Sequence, residues 1–306
     1  MNDEWLQWTR HNLERGCNPD EVRQILRNNG FPDAEIAAAM ERPKDTFFGR
    51  LKESWRRRLQ KAKEQLDRVE AERSGETPEP KSRIAQPGFD YKKMAQPRIA
   101  RNSAARRVES DRIQLYVLDN FLSPQECDTV IAEINRNLRP STITTGKDYS
   151  GFRTSTTCDL GLQQSKYIEK VDKKISRLLG IRLSWSEVMQ GQKYEVGQEF
   201  KAHTDYFEPN TKEFEQFASD LGQRTWTFMV YLNDTPEGGQ TRFNALDLEF
   251  QPKAGQALIW NNLYQTGEPN PDTIHHGMPV LEGQKLIITK WFRDKGKGTP
   301  YYSNNP

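Results

Sequence analysis

The chain has 306 residues, of which 34% are hydrophobic and 29% are charged, and its formal net charge is +2. A mean hydropathy of −0.91 indicates that a sizeable part of the chain lies outside a compact core. The sequence has no run of about 18 apolar residues and no cleavable apolar N-terminus, so we expect neither a membrane helix nor a secretory signal, but a cytoplasmic protein. Three scattered cysteines, Cys17, Cys127 and Cys158, exclude a disulfide framework and predict free thiols.

The first segment of the chain, residues 1–42, is predicted to be a small helical module. Asn-Gly and Arg-Gly pairs end the helices, and a proline lies at an early position of the second one. These signals predict three short helices, over about 4–15, 19–28 and 33–40. With its Gly30-Phe31 turn, the module resembles a ubiquitin-associated-type bundle, which implies that residues 1–42 bind a protein partner.

The next segment is strongly basic. Residues 42–107 carry 19 Lys and Arg against 9 Asp and Glu, although the whole chain is close to neutral. Apolar residues recur every three or four positions within 43–73, which predicts a basic amphipathic helix. Prolines and glycines among charges predict a flexible linker over 74–111. The basic segment is either a solvated arm or a weak contact for nucleic acid or the ribosome, and both readings stay open.

Residues 112–295 are predicted to form the main domain, with 296–306 as a C-terminal tail. Ser123 is a suitable N-cap and Pro124 a suitable first residue for one helix, and a second helix is predicted over 163–179.

The rest of this domain is predicted to be mainly β. Eight further segments alternate apolar and polar residues over short lengths. They are typical of a double-stranded β-helix, or jelly roll, with flanking helices. The segment 208–221 is a candidate lid because it follows the most informative strand directly. The predicted strands are 186–194, 199–204, 225–232, 240–243, 248–251, 257–260, 273–278 and 285–292.

Three side chains predict a metal site. His203 and Asp205 lie two positions apart on a predicted strand, so their side chains share one face while Thr204 points away. His275 opens a later strand and is the candidate third ligand. Two imidazoles and one carboxylate on one side of Fe(II) leave three positions open, which is the arrangement that non-haem oxygenases use.

A lysine follows ten residues after His275. Alternation along 285–292 places Lys285, Ile287 and Trp291 on one face of the predicted strand. An ammonium buried on that face is unfavourable unless an anion meets it, which predicts an acidic ligand. The alternative is that Lys285 lies at the strand end and reaches water.

The sequences YEVGQEFKAHTDYF (194–207) and HHGMPVLEGQK (275–285) resemble the motifs of the prolyl 4-hydroxylase family of Fe(II)- and 2-oxoglutarate-dependent dioxygenases. The resemblance extends over about 112–293. It implies that His203, Asp205 and His275 bind iron and that Lys285 binds the far carboxylate of 2-oxoglutarate. It also implies hydroxylation of a prolyl residue in a peptide or protein with release of succinate and CO2, ascorbate as an additional cofactor, and no general acid or base.

The same resemblance gives roles to five more residues. Tyr194 and Thr241 match residues that contact 2-oxoglutarate, and as neutral donors they suit a carboxylate that already has a cationic partner. Arg153, Arg224 and Trp291 match the substrate side, where guanidinium groups and an indole suit a peptide. Packing and turn roles for the first two residues, and ion pairs or core filling for the other three, stay open.

Two further questions stay open at this point. His276 is adjacent to the candidate ligand His275, but pleating turns it to the opposite face, so we expect a supporting or packing role. For the whole protein, the alternatives to a peptide hydroxylase are a small-molecule hydroxylase acting on a free amino acid and a non-catalytic binding protein with a vestigial site. Charge also allows a nucleic-acid demethylase of the same superfamily.

Overall fold

The computed structural model describes residues 1, 3–14, 19–41, 88–141, 153–163 and 165–296. The predicted amphipathic helix, the first part of the predicted linker and nearly all of the predicted tail lie outside the described residues. The N-terminal helices and the main domain belong to one compact unit.

Seven α-helices occur within the described residues, and the first three agree with the predicted ranges to within one residue at each end. Ser123 and Glu126 form a reciprocal capping box at the start of the fifth helix, as the Ser-Pro signal predicted. No helix in the described part of the chain is both long and apolar enough to span a membrane. The helices are α1 Asp3–Glu14, α2 Pro19–Asn28, α3 Asp33–Met40, α4 Tyr91–Met94, α5 Pro124–Arg136, α6 Lys166–Leu179 and α7 Lys212–Phe217.

The strands form two facing antiparallel sheets and one short two-stranded sheet. The major sheet has the order β1-β2-β11-β7-β14-β5-β4-β3, the minor sheet β10-β9-β12-β6, and the two-stranded sheet pairs β13 with β8. This architecture confirms the predicted jelly roll. The strands are β1 Ala105–Arg107, β2 Leu115–Leu118, β3 Arg139–Pro140, β4 Thr156–Asp159, β5 Gln190–Tyr194, β6 Phe200–His203, β7 Arg224–Tyr231, β8 Glu237–Gly238, β9 Thr241–Phe243, β10 Leu248–Phe250, β11 Ala257–Asn261, β12 His275–Gly277, β13 Val280–Glu282 and β14 Lys285–Arg293.

The two faces of the major sheet have different partners. On the outer face, Leu286, Ile288 and Phe292 of β14 share a core with apolar residues of α5 and α6. Ile287 belongs to a second core on the inner face, which includes residues of the minor sheet. The alternation predicted for 285–292 is therefore observed, and it turns every second side chain toward the space between the sheets.

Two short segments carry the chain between the sheets. The first crossover, residues 195–199, leads from β5 of the major sheet to β6 of the minor sheet. The second crossover, residues 278–284, returns from β12 of the minor sheet to β14 of the major sheet and contains β13. These two segments join the facing walls of the jelly roll.

The predicted flexible linker over 74–111 requires a correction for the part that the structure describes. Residues 88–111 pack on the main domain: Tyr91 and Ile99 are buried, and the Tyr91 hydroxyl donates to Asp294 Oδ2 at 2.7 Å. The indole of Trp226 donates to the carbonyl of Met94. The composition is that of a loop, but a few apolar side chains anchor the segment to the domain.

The N-terminal helices have a small core of their own. Trp5 and Trp8 of α1 pack against apolar residues of α2 and α3, and Trp8 is fully buried. The two indoles meet edge to face with centroids 5.4 Å apart, a favourable aromatic geometry. Helix α1 also contacts β3, at the edge of the major sheet.

Candidate metal centre

Three predicted ligands converge between the sheets. His203 ends β6, His275 begins β12, and the two residues are direct cross-strand partners in the minor sheet. The carboxylate of Asp205, two residues after His203, lies 4.0 Å from the Nε2 atom of each imidazole. Ligand atoms of all three residues lie within 4.8 Å of one another. We call this group the histidine wall.

Hydrogen bonds orient both imidazoles. Nδ1 of His203 is 2.7 Å from the carbonyl of Lys201, and Nδ1 of His275 is 3.0 Å from the carbonyl of Thr273. A carbonyl only accepts, so each Nδ1 carries the proton and each Nε2 presents its lone pair to the centre. Burial, with His275 nearby, also holds the pKa of His203 well below its ordinary value, which favours the neutral, metal-binding form.

Asp205 is held by a chain of two buried side chains. The hydroxyl of Thr227 donates to Asp205 Oδ2 at 2.7 Å, and the amide of Asn262 donates to the Thr227 hydroxyl at 2.9 Å. Both supporting residues are fully buried. Because Asn262 occupies an acceptor site of the hydroxyl, the Thr227 proton is directed to the carboxylate, whose Oδ1 stays available to a metal.

Aromatic rings enclose the imidazoles. Phe200 stacks on His203 with centroids 3.5 Å apart, and Trp260 meets the edge of His275 at 4.9 Å. Rings packed in this way restrict rotation of the imidazoles and keep water from the ligand atoms.

Lys285 lies across the cavity from the histidine wall. Its side chain is 2% exposed, and its ammonium is 5.3 Å from the ring centroid of Tyr194 and 5.6 Å from that of Tyr231. No carboxylate of the described residues lies within ion-pair distance of it, and burial lowers the pKa of Lys285 to about 7. Tyr194 is the cross-strand partner of Lys285, and we call this pair the lysine wall.

Tyr194 and Thr241 both reach the same cavity. The hydroxyl of Tyr194 donates to Gln192 Oε1 at 2.8 Å. Thr241 accepts a hydrogen bond of 2.7 Å from the hydroxyl of Tyr231, which leaves the Thr241 proton for another acceptor. Seven of the nine predicted site residues line this cavity: His203, Asp205, His275, Lys285, Tyr194, Thr241 and Trp291.

The two predicted arginines lie outside the lining of the cavity. Arg153 is buried behind Phe200, with its guanidinium carbon 4.7 Å from the ring centroid, and it donates to Thr157.

Trp291 lines the cavity itself, and its buried indole nitrogen has no hydrogen-bond partner among the described residues. An indole donor in this state suits a ligand with a carbonyl group.

Arg224, which the resemblance assigned to the substrate side, forms an ion pair in the structure. Its guanidinium forms a bidentate ion pair with Glu187, at 2.6 and 2.8 Å, and stacks 4.0 Å from the ring centroid of Trp291. Burial opposes ionisation of Glu187, but Arg224 and Arg293 together hold its pKa below the usual range. The ion pair that the sequence left open is therefore present, and Arg224 packs on the Trp291 indole. The substrate contact of Arg224 stays a prediction.

His276 faces away from the centre, as pleating predicted. Its Nε2 atom is 3.0 Å from a carboxylate oxygen of Glu199, a residue of the first crossover. It is therefore an outward partner of that crossover and not a ligand.

The supporting residues Thr227 and Asn262 do not stand out in the sequence as site residues. Thr227 had a weak signal, because it is a polar residue between Trp226 and Phe228 at an inward position of a strand. Asn262 had no sequence signal, because it follows β11 and contacts Thr227 only in the folded structure.

Comparisons with known proteins agree with this geometry. Residues 189–293 match the family model described as the 2OG-Fe(II) oxygenase superfamily. The chain is 32% identical over 201 residues to probable prolyl 4-hydroxylase 3 of Arabidopsis thaliana, covering 58% of this chain and 68% of that protein. It is 28% identical over 211 residues to probable prolyl 4-hydroxylase 9 of the same plant, covering 62% and 72%. A solved structure, the viral collagen prolyl hydroxylase of Paramecium Bursaria Chlorella virus-1 with 2OG, has 27% identity and a TM-score of 0.45, covering 58% and 94%.

Two facing sheets, with two imidazoles and a carboxylate opposite a buried ammonium, define a non-haem iron oxygenase of the 2-oxoglutarate-dependent class. The chain belongs to the prolyl 4-hydroxylase family of these Fe(II)-dependent dioxygenases. The prediction that the main domain belongs to this family is confirmed. The ubiquitin-associated resemblance of residues 1–42 stays a prediction.

Proposed function

We propose that this protein hydroxylates a prolyl residue in a peptide or protein, with Fe(II) on His203, Asp205 and His275. The observation that carries the proposal is the convergence of two Nε2 atoms and one carboxylate opposite a buried ammonium. Neutral imidazoles and a carboxylate are the donor set that Fe(II) takes in oxygenases. The site therefore fits the metal that the family uses.

The lysine wall fits 2-oxoglutarate. A dicarboxylate held at the metal by its 2-oxo acid end would present its second carboxylate to the opposite wall, where Lys285 has no anionic partner among the described residues. Tyr194 and Thr241 add neutral hydroxyl groups to the same pocket. We assign these three residues to the cosubstrate because they supply one charge and further hydrogen bonds without burying a second cation.

When bound, Fe(II) and 2-oxoglutarate supply the oxidation, in which the acid and O2 give succinate, CO2 and one oxygen atom for a C–H bond. The residues of this chain orient the reactants and exclude water. A peptide is favoured by the names of the relatives and by Trp291, whose indole lines the cavity with its N–H unpaired. Arg153 flanks the same region behind Phe200. The predicted use of ascorbate stays a prediction.

The test is an incubation of the protein with Fe(II), 2-oxoglutarate and a proline-rich peptide. We expect succinate release and a peptide that gains one oxygen atom, and both should be absent when Asp205→Ala replaces the wild type. A parallel incubation with free amino acids distinguishes the small-molecule alternative. Succinate formation only with free amino acids would overturn the peptide assignment. If no acceptor leads to succinate formation, the proposed enzymatic activity is wrong.

A further inference from the structure

The first crossover and the second crossover are joined where they pass each other. The amide of Gly197 donates to the carbonyl of Val280 at 2.8 Å, and the amide of Val280 donates to the carbonyl of Gln198 at 3.1 Å. Gln198 also closes a turn with Glu195. The backbone amide of Gln198 donates to the carbonyl of Glu195, and the side-chain Oε1 of Gln198 accepts from the backbone amide of Glu195. The crossovers therefore form one hydrogen-bonded clamp.

Each of the two crossovers in this clamp connects one wall of the cavity to the other along the chain. The first crossover begins after Tyr194 of the lysine wall and leads to His203 of the histidine wall. The second begins after the strand of His275 and ends at Lys285. Both crossovers are short covalent connections from one wall to the other, alongside the hydrogen bond from Thr227 of β7 to Asp205. The way the clamp is held therefore bears on the separation of the walls.

The N-terminal module is attached to this clamp. The side-chain amide of Gln198 donates to Asn12 Oδ1 of α1, and both side chains are fully buried. Asn12 is in turn fixed by its own amide, which donates to the carbonyl of Trp8 at 2.8 Å. Since α1 also contacts β3 of the major sheet, the module is joined both to that sheet and to the segment that leaves it.

We infer that the N-terminal module sets the separation of the two walls through the Asn12–Gln198 hydrogen bond, which makes Asn12 a positioning residue for 2-oxoglutarate. The inference rests on the proposed function. It gives residues 1–40 a role inside the enzyme, in addition to any partner they bind. A ligand that touches both walls depends on their separation, whereas a ligand that touches only the metal does not.

Oxalate separates these two cases. It resembles the chelating 2-oxo acid end of 2-oxoglutarate but has no distal carboxylate, because both of its carboxylates take part in chelation, so it reaches the histidine wall and not Lys285. In anaerobic titrations of the Fe(II)-loaded full-length protein, Asn12→Ala should raise the Kd for 2-oxoglutarate by about fivefold. The Kd for oxalate should change by less than about twofold. Asn28→Ala, which removes an exposed amide of the same module, should change neither constant.

Several outcomes would overturn the inference. An unchanged Kd for 2-oxoglutarate in the folded Asn12→Ala protein contradicts it, and so does an equal rise for oxalate, which indicates general damage to the metal site. If Asn12→Ala and Asn12→Leu both fail to fold, Gln198→Glu tests the same bond from the main domain, because it keeps an oxygen for the Glu195 amide and removes the donor to Asn12. The changes in the Kd for 2-oxoglutarate and for oxalate are then compared as before. Failure of the wild-type protein to bind 2-oxoglutarate is a different result and rejects the proposed function itself.

Discussion

The two walls of the cavity differ in how their polar groups are paired. On the histidine wall, both imidazoles are fixed by backbone carbonyls, and Asp205 accepts from Thr227. On the lysine wall, the Lys285 ammonium faces two phenol rings and has no carboxylate within ion-pair distance among the described residues. The histidine wall is assembled in advance, whereas the lysine wall holds an amine that has no anionic partner among the described residues until an acidic ligand binds.

This difference shows where each ligand's affinity originates. A preorganised donor set binds its metal without first losing conformational freedom. A buried ammonium without a partner is unfavourable by several kcal/mol, and the fall of the Lys285 pKa to about 7 expresses that cost. An anion that pairs with Lys285 therefore relieves an unfavourable state as well as forming a new contact.

The largest expected effect comes from removing the carboxylate of the histidine wall. Asp205→Ala should weaken Fe(II) binding by more than about 100-fold, because loss of a ligand exceeds the effect of losing a supporting partner. Anaerobic titration with Fe(II) measures this change. Asp220→Ala, which removes an exposed acid, should bind the metal as the wild type does. Unchanged affinity of the Asp205 variant would remove that residue from the metal site.

The next largest effect should come from a change on the lysine wall that leaves the histidine wall intact. Lys285→Met should raise the Kd for 2-oxoglutarate by about 100-fold, as expected when one partner of a buried charge pair is lost. The Kd for Fe(II) alone should stay the same, because the metal contacts only the histidine wall. Calorimetric titration reports both constants, with the exposed Lys253→Met as the control. A joint loss of both affinities would show that the walls are not independent.

The unpaired lysine also predicts a pH dependence. The pKa of Lys285 is about 7 in the free site, and a bound carboxylate raises it, so above pH 7 binding requires uptake of a proton. The affinity for 2-oxoglutarate should therefore fall by up to about tenfold per pH unit above pH 7. Lys285→Met should abolish this slope. A wild-type affinity that stays constant between pH 7 and 9 would mean that the lysine is already charged in the free site.

The smallest effect tests the preorganisation of the histidine wall. Thr227→Val keeps the shape of the side chain but removes the hydrogen bond to Asp205, and it should weaken Fe(II) binding by about tenfold. Asn262→Leu should have a smaller effect, because it acts only through Thr227. Equal Fe(II) affinity of the wild type and Thr227→Val would show that Asp205 needs no support from this chain of hydrogen bonds.

The features that the sequence predicted well are those with local signals. The helices of the N-terminal module follow turn residues and an early proline, and the inward face of β14 follows simple alternation. The positions of His203, Asp205 and Lys285 follow from strand pleating together with the family motifs. Local patterns carry this information because they recur every two residues in strands and every three or four in helices.

The features that the sequence did not predict depend on distant contacts. Arg224 pairs with Glu187, 37 positions earlier in the chain, and Asn262 reaches Thr227 across 35 positions. Residues 88–111 have the composition of a linker, yet Tyr91 is buried against the main domain. No local pattern encodes such partners, so only the folded structure shows them.

One 2-oxoglutarate molecule is proposed to bind to both the histidine wall and the lysine wall. The most direct test of this proposal is a calorimetric titration of 2-oxoglutarate at pH 8 into the wild-type protein, with and without Fe(II). We expect binding that requires the metal and takes up protons, with the proton uptake lost in Lys285→Met. Binding that is indifferent to the metal, or proton uptake that persists without Lys285, would contradict the assignment of the two walls to one ligand.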